Sequence, residues 1–260
     1  MRRRYTFPPA APSPWQTHQT GGGFLRPTRD GLQLCIGPTT PGRYANAQLD
    51  DYQLLPRRRF PWRPPLKLTV RARFSHPAGG LRGTAGFGFW NDPFGMTGHR
   101  WPTLPRAIWF FFNGMDAPLR LARETQGYGW RAAVIDAWRT SFLLLAPLTP
   151  VAMLLMRWRW LYERAWPLAQ WAMGVREAMV EGDLTAWRTY ELSWGRDAVS
   201  FAVDGVCVLE CNTAPSGPLG LVLWMDNQGI DFAPWRLPRH LLFATPQEQW
   251  LELAWVEIET

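Results

Sequence analysis

The segment WRTYELSWGRDAVSFAVDGVCVLE, residues 187–210, decides the fold of this chain. Apolar residues recur at every second position in both of its halves, which is the pattern of strands with one buried face. Asp204 and Gly205 separate two apolar runs, and both residue types accept the positive φ angles of a two-residue hairpin turn. The segment therefore predicts a strand followed by a β-hairpin.

Six other segments have strand character, with alternating or aromatic-rich runs bounded by Gly, Pro or Asn. In the clearest, LKLTVRARF, Leu66 and Val70 belong to an apolar face while Lys67 and Arg71 belong to a wet one. Short strands separated by turn signals are typical of an all-β protein. The six segments are residues 32–37, 66–74, 84–90, 106–112, 220–226 and 250–259, the last with a bulge.

The composition indicates a folded protein that does not bind nucleic acid. Apolar residues make up 47% of the chain and charged residues 19%, which is enough apolar material for a core and excludes a disordered protein. The net charge of +7 comes almost entirely from arginine and is spread along the chain. It therefore predicts a solvated basic surface. The 17 tryptophans suit either a core or a ligand cleft.

We expect a cytoplasmic protein whose contact with a membrane, if any, is peripheral. The basic start MRRR is followed by no apolar signal region, and no apolar run reaches the roughly 20 residues of a spanning helix. Residues 1–30 are rich in Pro, Gly, Thr and Arg and predict an irregular arm. Residues 31–260 predict a single β-sandwich domain.

Residues 130–182 interrupt the strands with helical periodicity. An apolar stripe runs from Leu154 to Met179 at spacings of three and four, which predicts an amphipathic helix that Pro167 kinks or divides. An earlier helix is predicted over residues 131–145. We interpret the whole segment as a helical hairpin inserted between two strands.

Three roles are open for this insertion: a lid over a ligand cleft, a foot in a membrane surface, or a layer that covers a sheet face or a dimer interface. As a foot, the apolar run 142–156 would enter the lipid, and Arg157 and Arg159 would lie among the headgroups. The residues predicted to form the lid or foot are Phe142, Leu144, Leu148, Met153, Trp158 and Trp160.

The strand segments resemble the family 16 glycoside hydrolases. The likeness covers roughly residues 31–125 and 185–260, and it implies a mainly β, two-sheet concanavalin-like jelly-roll sandwich, here with an inserted α-helical hairpin. Residues 83–91, 214–229 and 250–259 resemble other strands of that family. Within residues 187–210 the likeness rests on Trp194, Asp197, Phe201, Val203, Asp204 and Gly205.

The resemblance also locates a catalytic motif that this chain lacks. The family carries Glu-x-Asp-x-Glu on the strand after the GFGFW-like one, and the outer two acids act as nucleophile and general acid. Here the corresponding positions hold Ala107, Trp109 and Phe111 or Phe112, none of which can donate a proton or attack a sugar. We therefore expect an aromatic cleft without hydrolysis by the family mechanism.

The first functional hypothesis is a binding protein, non-hydrolytic or of altered chemistry, for an apolar, lipid-linked or glycan ligand. Its polar candidates also have an alternative interpretation as turn residues, because Asn and Asp cap turns. The predicted ligand-binding residues are Trp90, Asn91, Asp92, Trp109, Phe111, Asn113, Trp224, Asp226, Asn227 and Gln228.

Two further hypotheses stay open. One is a glycoside hydrolase with displaced acids, and the other is a structural or peripheral membrane protein that uses the helical hairpin. The four histidines are too scattered to predict a metal site. The resemblance implies at most a structural calcium ion, to which Glu252 or Glu257 would contribute, and no other cofactor is expected. The displaced acids to consider are Asp92, Asp116, Glu124 and Asp226.

Overall fold

The computed structural model describes residues 1–7, 14–96, 101–119, 122, 125–231 and 239–260. Three α-helices and several short 3-10 turns accompany the strands. The helices are α1 (Thr140–Leu145), α2 (Thr149–Leu155) and α3 (Arg159–Ala172), and the 3-10 turns are Arg57–Arg59, Ala78–Gly80 and Ala146–Leu148. In chain order the strands are β1 (Arg2–Thr6), β2 (Gln16–Thr20), β3 (Gly23–Pro27), β4 (Leu32–Ile36), β5 (Asn46–Asp50), β6 (Leu66–Phe74), β7 (Thr84–Trp90), β8 (Arg106–Asn113), β9 (Gly129–Asp136), β10 (Arg176–Met179), β11 (Arg188–Trp194), β12 (Val199–Val203), β13 (Val206–Cys211), β14 (Gly220–Asp226), β15 (Gln228–Asp231), β16 (Arg239–Leu242) and β17 (Gln249–Glu259).

Two large antiparallel sheets form a jelly-roll sandwich. The first sheet has the order β13-β12-β11-β6-β17-β4-β3, with β1 also paired to β17. The second has the order β10-β9-β8-β7-β14-β5-β2, and β15 and β16 form a separate two-stranded ribbon. Each sheet contributes apolar side chains to one core, such as Val70 from the first and Phe110 from the second. The predicted mainly β sandwich is confirmed.

The strands predicted from alternation are confirmed. In β6 the side chains of Leu66, Leu68, Val70, Ala72 and Phe74 are all buried, as the period of two requires. The predicted hairpin joins β12 to β13 through Asp204 and Gly205, whose φ angles are 50° and 80°. The bulge predicted in the last strand lies between Leu253 and Trp255.

The prediction of an irregular arm over residues 1–30 is wrong for much of that segment. β1 pairs with β17, β2 pairs with β5, and β3 pairs with β4. Strand β2, with the sequence QTHQT, contains no apolar residue. Edge strands such as β2 gain order from ladder hydrogen bonds to a neighbouring strand, so their own sequence carries little hydrophobic periodicity.

The predicted helical insertion of residues 130–182 is confirmed in kind but is shorter. Helices occupy only residues 140–172, and α3 continues undivided through Pro167. The helix predicted over residues 131–145 is wrong at its start, because residues 131–136 belong to β9. At the other end, Arg176–Met179 forms β10, which pairs with β9. The insertion thus connects β9 to its neighbour β10, the edge strand of the second sheet.

Candidate binding cleft

Alternate residues of three neighbouring strands, β7, β8 and β14, face a cleft on the outer side of the second sheet. The intervening residues, such as Phe110 and Leu223, belong to the core between the sheets. The cleft holds a cavity of about 400 Å³, within the range of roughly 300–1,000 Å³ that is usual for small-molecule sites. Its lining residues from these strands are Thr84, Trp90, Arg106, Ala107, Trp109, Phe111, Asn113, Val222, Trp224 and Asp226.

The floor of the cleft is aromatic. The ring of Trp109 lies 5.4 Å from that of Phe111, 5.5 Å from that of Trp224 and 5.9 Å from that of Trp90, measured between centroids. Two of the indoles are oriented by hydrogen bonds, from Trp90 Nε1 to the Tyr52 hydroxyl at 2.7 Å and from Trp224 Nε1 to Thr84 Oγ1. Such buried indole N–H groups usually need a partner, so these contacts hold the rings in place.

Two glycines of β7 leave room for these rings. Gly88 pairs with Trp109, and Gly86 pairs with Phe111 on one side and Trp224 on the other. A Cβ atom on Gly86 would lie 2.8 Å from the ring of Trp224, and one on Gly88 would lie 2.6 Å from the Cβ of Trp109. The GFGFW sequence therefore alternates core phenylalanines with glycines over which the indoles lie.

The pleat of β8 decides which of Phe111 and Phe112 faces the cleft. Ala107, Trp109 and Phe111 face the cleft, whereas Phe112 is 1% exposed and packs in the core between the sheets. Period-two spacing thus places Ala107, Trp109 and Phe111 side by side on the cleft floor. None of the three carries a group that ionises.

The polar end of the cavity centres on Asp226. Its carboxylate accepts hydrogen bonds from Thr84 Oγ1 at 2.7 Å and Gln228 Nε2 at 2.6 Å, as well as from the backbone N–H groups of both residues. Gln228 Oε1 lies 3.0 Å from His240 Nε2. Burial raises the pKa of Asp226 to about 7, although the hydrogen bonds oppose this shift. A carboxyl group that is about half protonated at pH 7 thus lies at the polar end of the cavity.

The walls of the cavity come from loops and from the β15–β16 ribbon. Phe94 and Met96 follow β7, Leu119 follows β8, and Ile230 and His240 belong to the ribbon. Phe94 is 62% exposed, which places it at the solvent side. The walls are therefore mainly apolar and extend the character of the floor.

A buried ion pair lies at the edge of the floor, on β9 and β10. Arg131 Nη1 is 3.3 Å from Glu177 Oε1, and the Arg131 guanidinium lies 5.3 Å from the ring centre of Phe111. Arg131 also donates to Asn113 Oδ1, and Asn113 Nδ2 donates to the backbone oxygen of Ala117. Burial lowers the pKa of Arg131, against the attraction of Glu177. Asn113 lines the cavity, but its amide is occupied in holding the loop after β8.

Three predicted binding residues lie outside the cavity lining. Asn91 accepts from the Arg106 backbone N–H, and Asp92 accepts from the Met96 N–H and has a φ of 46°. Asn227 is fully buried, with Oδ1 bound to the Ala45 N–H and Nδ2 to backbone oxygens. These side chains fix turns, which was the alternative interpretation. The other predicted positions, Trp90, Trp109, Phe111, Asn113, Trp224, Asp226 and Gln228, line the cavity.

The three described acids considered for displaced catalysis do not come together at the cavity. Asp226 is the only carboxylate among the described lining residues. Asp92 is buried in its turn, and Asp116 pairs with Arg82. Glu124 lies outside the described residues.

The two glutamates considered for calcium are bound by arginines. Arg73 Nε lies 2.8 Å from Glu252 Oε2, and Arg2 Nη2 lies 2.7 Å from Glu257 Oε1. Within the described ranges, no three His, Cys, Asp or Glu residues come together as a metal site. These glutamates therefore do not fit a cation site.

The helical insertion does not cover the cavity. None of residues 137–175 is among its described lining residues, so Phe142, Leu144, Leu148, Met153, Trp158 and Trp160 do not act as a lid in this structure. The insertion does border the cleft. Met173 packs against the cluster that contains Ile135 and Phe111, and it also contacts the cluster formed by Tyr162 and Trp166.

Solved structures of carbohydrate-active enzymes share this architecture. A β-1,3-1,4-glucanase (lichenase) derived from a mouse hindgut metagenome superposes with a TM-score of 0.55 at 14% identity, over 99% of this chain and 98% of that one. A family 16 endo-glucanase from Bacteroides ovatus gives 0.52 at 11% identity, over 99% of both chains. Crh5 transglycosylase in complex with NAG gives 0.53 at 13%, over 100% and 83%. The chain has the concanavalin-like fold of the family 16 glycosidases. No protein-family model and no curated protein matches its sequence.

Sequence reasoning missed the parts of the site that loops and short strands supply. Met96, Ile230 and His240 line the cavity without any motif around them. Gln48, on β5, had a usable signal, because its strand NAQLD alternates polar and apolar residues. The alternation would have placed Gln48 on the same face as Asp50.

Proposed function

We propose that this chain binds a small molecule with an apolar body and an uncharged polar end in the aromatic cleft, and that it does not hydrolyse glycosidic bonds. The observation that carries the proposal is the row Ala107, Trp109 and Phe111 on the central strand β8, facing a cavity of about 400 Å³. Aromatic rings bury a large apolar area, so a ligand with apolar faces gains most from this floor.

The electrostatics of the cleft favour an uncharged ligand. Transferring a charge into an apolar site is costly unless a partner neutralises it. Arg106 in the described lining is already paired with Asp136, and Asp226 at the polar end is already hydrogen-bonded to Thr84 and Gln228. A hydroxyl or amide near Gln228 and His240 would find hydrogen-bonding groups there. This supports a polar end that is neutral.

The absence of a carboxylate pair argues against hydrolysis. Retaining glycosidases need two carboxyl groups about 5–5.5 Å apart, and inverting enzymes need about 6.5–9.5 Å. The described lining offers Asp226 alone. Hydrolysis would therefore need a second acid from outside the described lining.

A glycan is the second candidate ligand, and a specific observation favours it. Sugar rings also stack on indole faces, and in the cleft the ring of Trp109 lies within 6 Å of the rings of Trp90 and Trp224. The Crh5 and Bacteroides ovatus structures of the same fold are complexes with NAG and with an oligosaccharide derivative. The glycan hypothesis and the apolar-ligand hypothesis therefore predict opposite results when oligosaccharides and alcohols compete with a bound probe.

The test uses the neutral fluorescent probe N-phenyl-1-naphthylamine. We expect it to bind the full chain with micromolar affinity, and we expect long-chain alcohols, but not cello- or laminari-oligosaccharides, to displace it. Trp109→Ala should weaken probe binding at least tenfold, because it removes the central ring of the floor. Trp255→Ala is the matched control, since Trp255 lies on the first sheet under Arg4.

Three results would contradict the proposal. Displacement of the probe by oligosaccharides but not by alcohols would favour the glycan. Release of reducing ends from mixed-linkage β-glucan, abolished by Asp226→Asn, would establish a hydrolase. Probe binding that Trp109→Ala and Trp255→Ala weaken equally would place the probe outside the cleft.

A further inference from the structure

The helical insertion carries an unusual concentration of exposed apolar side chains. Eleven of the eighteen exposed large apolar residues in the described part of the chain lie between residues 143 and 171. A typical globular surface scatters such residues singly, whereas a contiguous group marks an interaction site. The eleven residues are Leu143, Leu144, Leu148, Val151, Met153, Leu154, Leu155, Trp158, Trp160, Leu168 and Trp171. We refer to them as the insertion surface.

Packing within the chain does not use this surface. Helix α3 packs through Tyr162 and Trp166, which are 7% and 5% exposed and cluster with Met156. In the apolar stripe identified in the sequence, Trp158 and Leu168 are each 55% exposed. The helix is thus apolar on two faces, and only the face of Tyr162 and Trp166 is covered, by other residues of the insertion such as Met156 and Met173. An apolar second face requires a partner.

The charges around the insertion surface are positive. Arg157, Arg159 and Arg164 are exposed, and Glu163 is the only acid between residues 140 and 172. Arg157 and Arg164 form no ion pair with a carboxylate in the ranges that the structure describes. Exposed Trp158 and Trp160 alternate with these arginines in the sequence RWRW. Arginine and tryptophan together suit the interfacial layer of a bilayer, where rings and guanidinium groups meet headgroups.

We propose that the insertion surface docks on the surface of an anionic phospholipid bilayer. The leucines and valine would enter the acyl boundary, and the arginines would contact lipid phosphates. None of the helices in the described part is long and apolar enough to cross a membrane. The contact is therefore interfacial.

The position of the insertion relative to the cleft adds a consequence. Its base is hydrogen-bonded to the segment before β8, from Ala137 N–H to the Pro105 oxygen at 2.9 Å and from Trp138 Nε1 to the Leu104 oxygen at 3.0 Å. Pro105 itself lines the cavity. Docking would bring one wall of the cleft close to the bilayer. The significance of having the cleft near the bilayer rests on the proposed function, whereas the proposal of membrane docking is independent of it.

The experiment is flotation of the full chain with large unilamellar vesicles, either of phosphatidylcholine alone or with 30% phosphatidylglycerol. We expect preferential binding to the anionic vesicles, which added salt weakens. Each arginine near an anionic surface strengthens partitioning about fivefold, so R157Q/R164Q should weaken binding about 25-fold. L144S/L148S/L154S should weaken it by about a hundredfold or more on both compositions, because it removes buried apolar area.

Control variants separate this surface from general stickiness and from the cleft. L54S/V206S removes two apolar side chains that are 88% and 67% exposed outside the insertion, and it should bind vesicles as the original chain does. Trp109→Ala should also leave flotation unchanged. Far-UV circular dichroism checks that each variant is folded. We expect the insertion variants to fold because their replaced side chains are exposed.

Several outcomes would overturn the proposal. One is equal flotation of the original chain and L144S/L148S/L154S. Another is no flotation together with dimerisation in sedimentation velocity that L144S/L148S/L154S abolishes, which would assign the surface to a second copy of the chain. Absence of both flotation and dimerisation would also reject it. In every case, retained binding of N-phenyl-1-naphthylamine would leave the proposed function intact.

Discussion

Replacing Asp226 by Asn is expected to change how the stability of the fold depends on pH. Burial raises the pKa of Asp226 from its ordinary value of 3.8 to about 7 in the folded chain. The folded state therefore holds the proton more tightly than the unfolded state does. This contribution to stability is fully present below pH 3.8 and is lost as the pH rises through about 7. An asparagine has no charge to bury, so the variant should escape this loss.

The size of the effect follows from the difference between the two pKa values. A difference of about three pH units corresponds to on the order of 4 kcal/mol, of which on the order of 3 kcal/mol falls between pH 5 and 8.5. Gln228 Nε2 donates to the Asp226 carboxylate, so the new amide adds a penalty of its own. That penalty does not vary with the ionisation of residue 226. The quantity to compare is therefore the pH-dependent part of the difference between variant and original chain.

The assay is urea unfolding followed by tryptophan fluorescence at several pH values from 5 to 8.5. We expect the free energy of unfolding of Asp226→Asn, relative to the original chain, to rise over this range and to level off above about pH 8. Burial also raises the pKa of Asp51 to about 7, but that group is unchanged in the variant and cancels. Asp183→Asn is the control. Its exposed carboxylate is bound by the Thr185 hydroxyl, which lowers its pKa, so its titration lies below this range. A difference for Asp226→Asn that stays flat from pH 5 to 8.5 would refute the reasoning.

Three further substitutions test the packing of the two sheets and the cleft. Phe110→Ala should lower the free energy of unfolding by about 3–5 kcal/mol in urea titrations, because Phe110 is 1% exposed in the core; a loss below about 1 kcal/mol would mean that the core is not packed as described. Gly86→Ala should lower it by about 1–3 kcal/mol and weaken probe binding, because the new Cβ would lie 2.3 Å from the Phe110 backbone oxygen and 2.8 Å from the Trp224 ring; unchanged probe binding would contradict this. Arg131→Met should cost about 3–5 kcal/mol because it leaves the buried charge of Glu177 unpaired, and the double variant R131M/E177M should recover most of that loss in the same titration; a double variant as unstable as the single one would show that the pair is needed for more than charge balance.

Strands with a buried face were predictable, and edge strands were not. β6 was predictable because every second side chain packs in one core, so its hydrophobicity alternates along the strand. β8 was predictable because it is an aromatic-rich run bounded by turn residues. Strand β2 has no apolar residue, since it lies at the end of the second sheet and is held by hydrogen bonds to β5. Backbone pairing leaves no mark in side-chain composition. The sequence of residues 1–30 therefore predicts an irregular arm, although three strands are present there.

The insertion shows the limit of helical periodicity. Its apolar stripe from Leu154 predicted a helix, and helices α2 and α3 are present, but it left open whether the stripe is buried or exposed. In the structure Leu154, Trp158 and Leu168 are exposed. Period 3.6 identifies which residues share a face but not which face is packed. Tyr162 and Trp166 form the packed face. The helix has two apolar faces, and a one-dimensional pattern cannot rank them.

Sequence alone determined the sandwich, the hairpin at Asp204 and the aromatic character of β8, because strand alternation and turn chemistry are local properties of the chain. The resemblance further implies that Ala107 and Trp109 occupy positions that are acidic in the family 16 glycoside hydrolases. Tertiary structure decided the rest. It placed Phe111 in the cleft and Phe112 in the core. It also engaged the side chains of Asn91, Asp92 and Asn227 in hydrogen bonds within turns. It also left the insertion surface exposed to solvent. These outcomes depend on which groups from distant segments of the chain come into contact. The hydrogen bonds, burial and exposure of those groups are set only when the chain has folded.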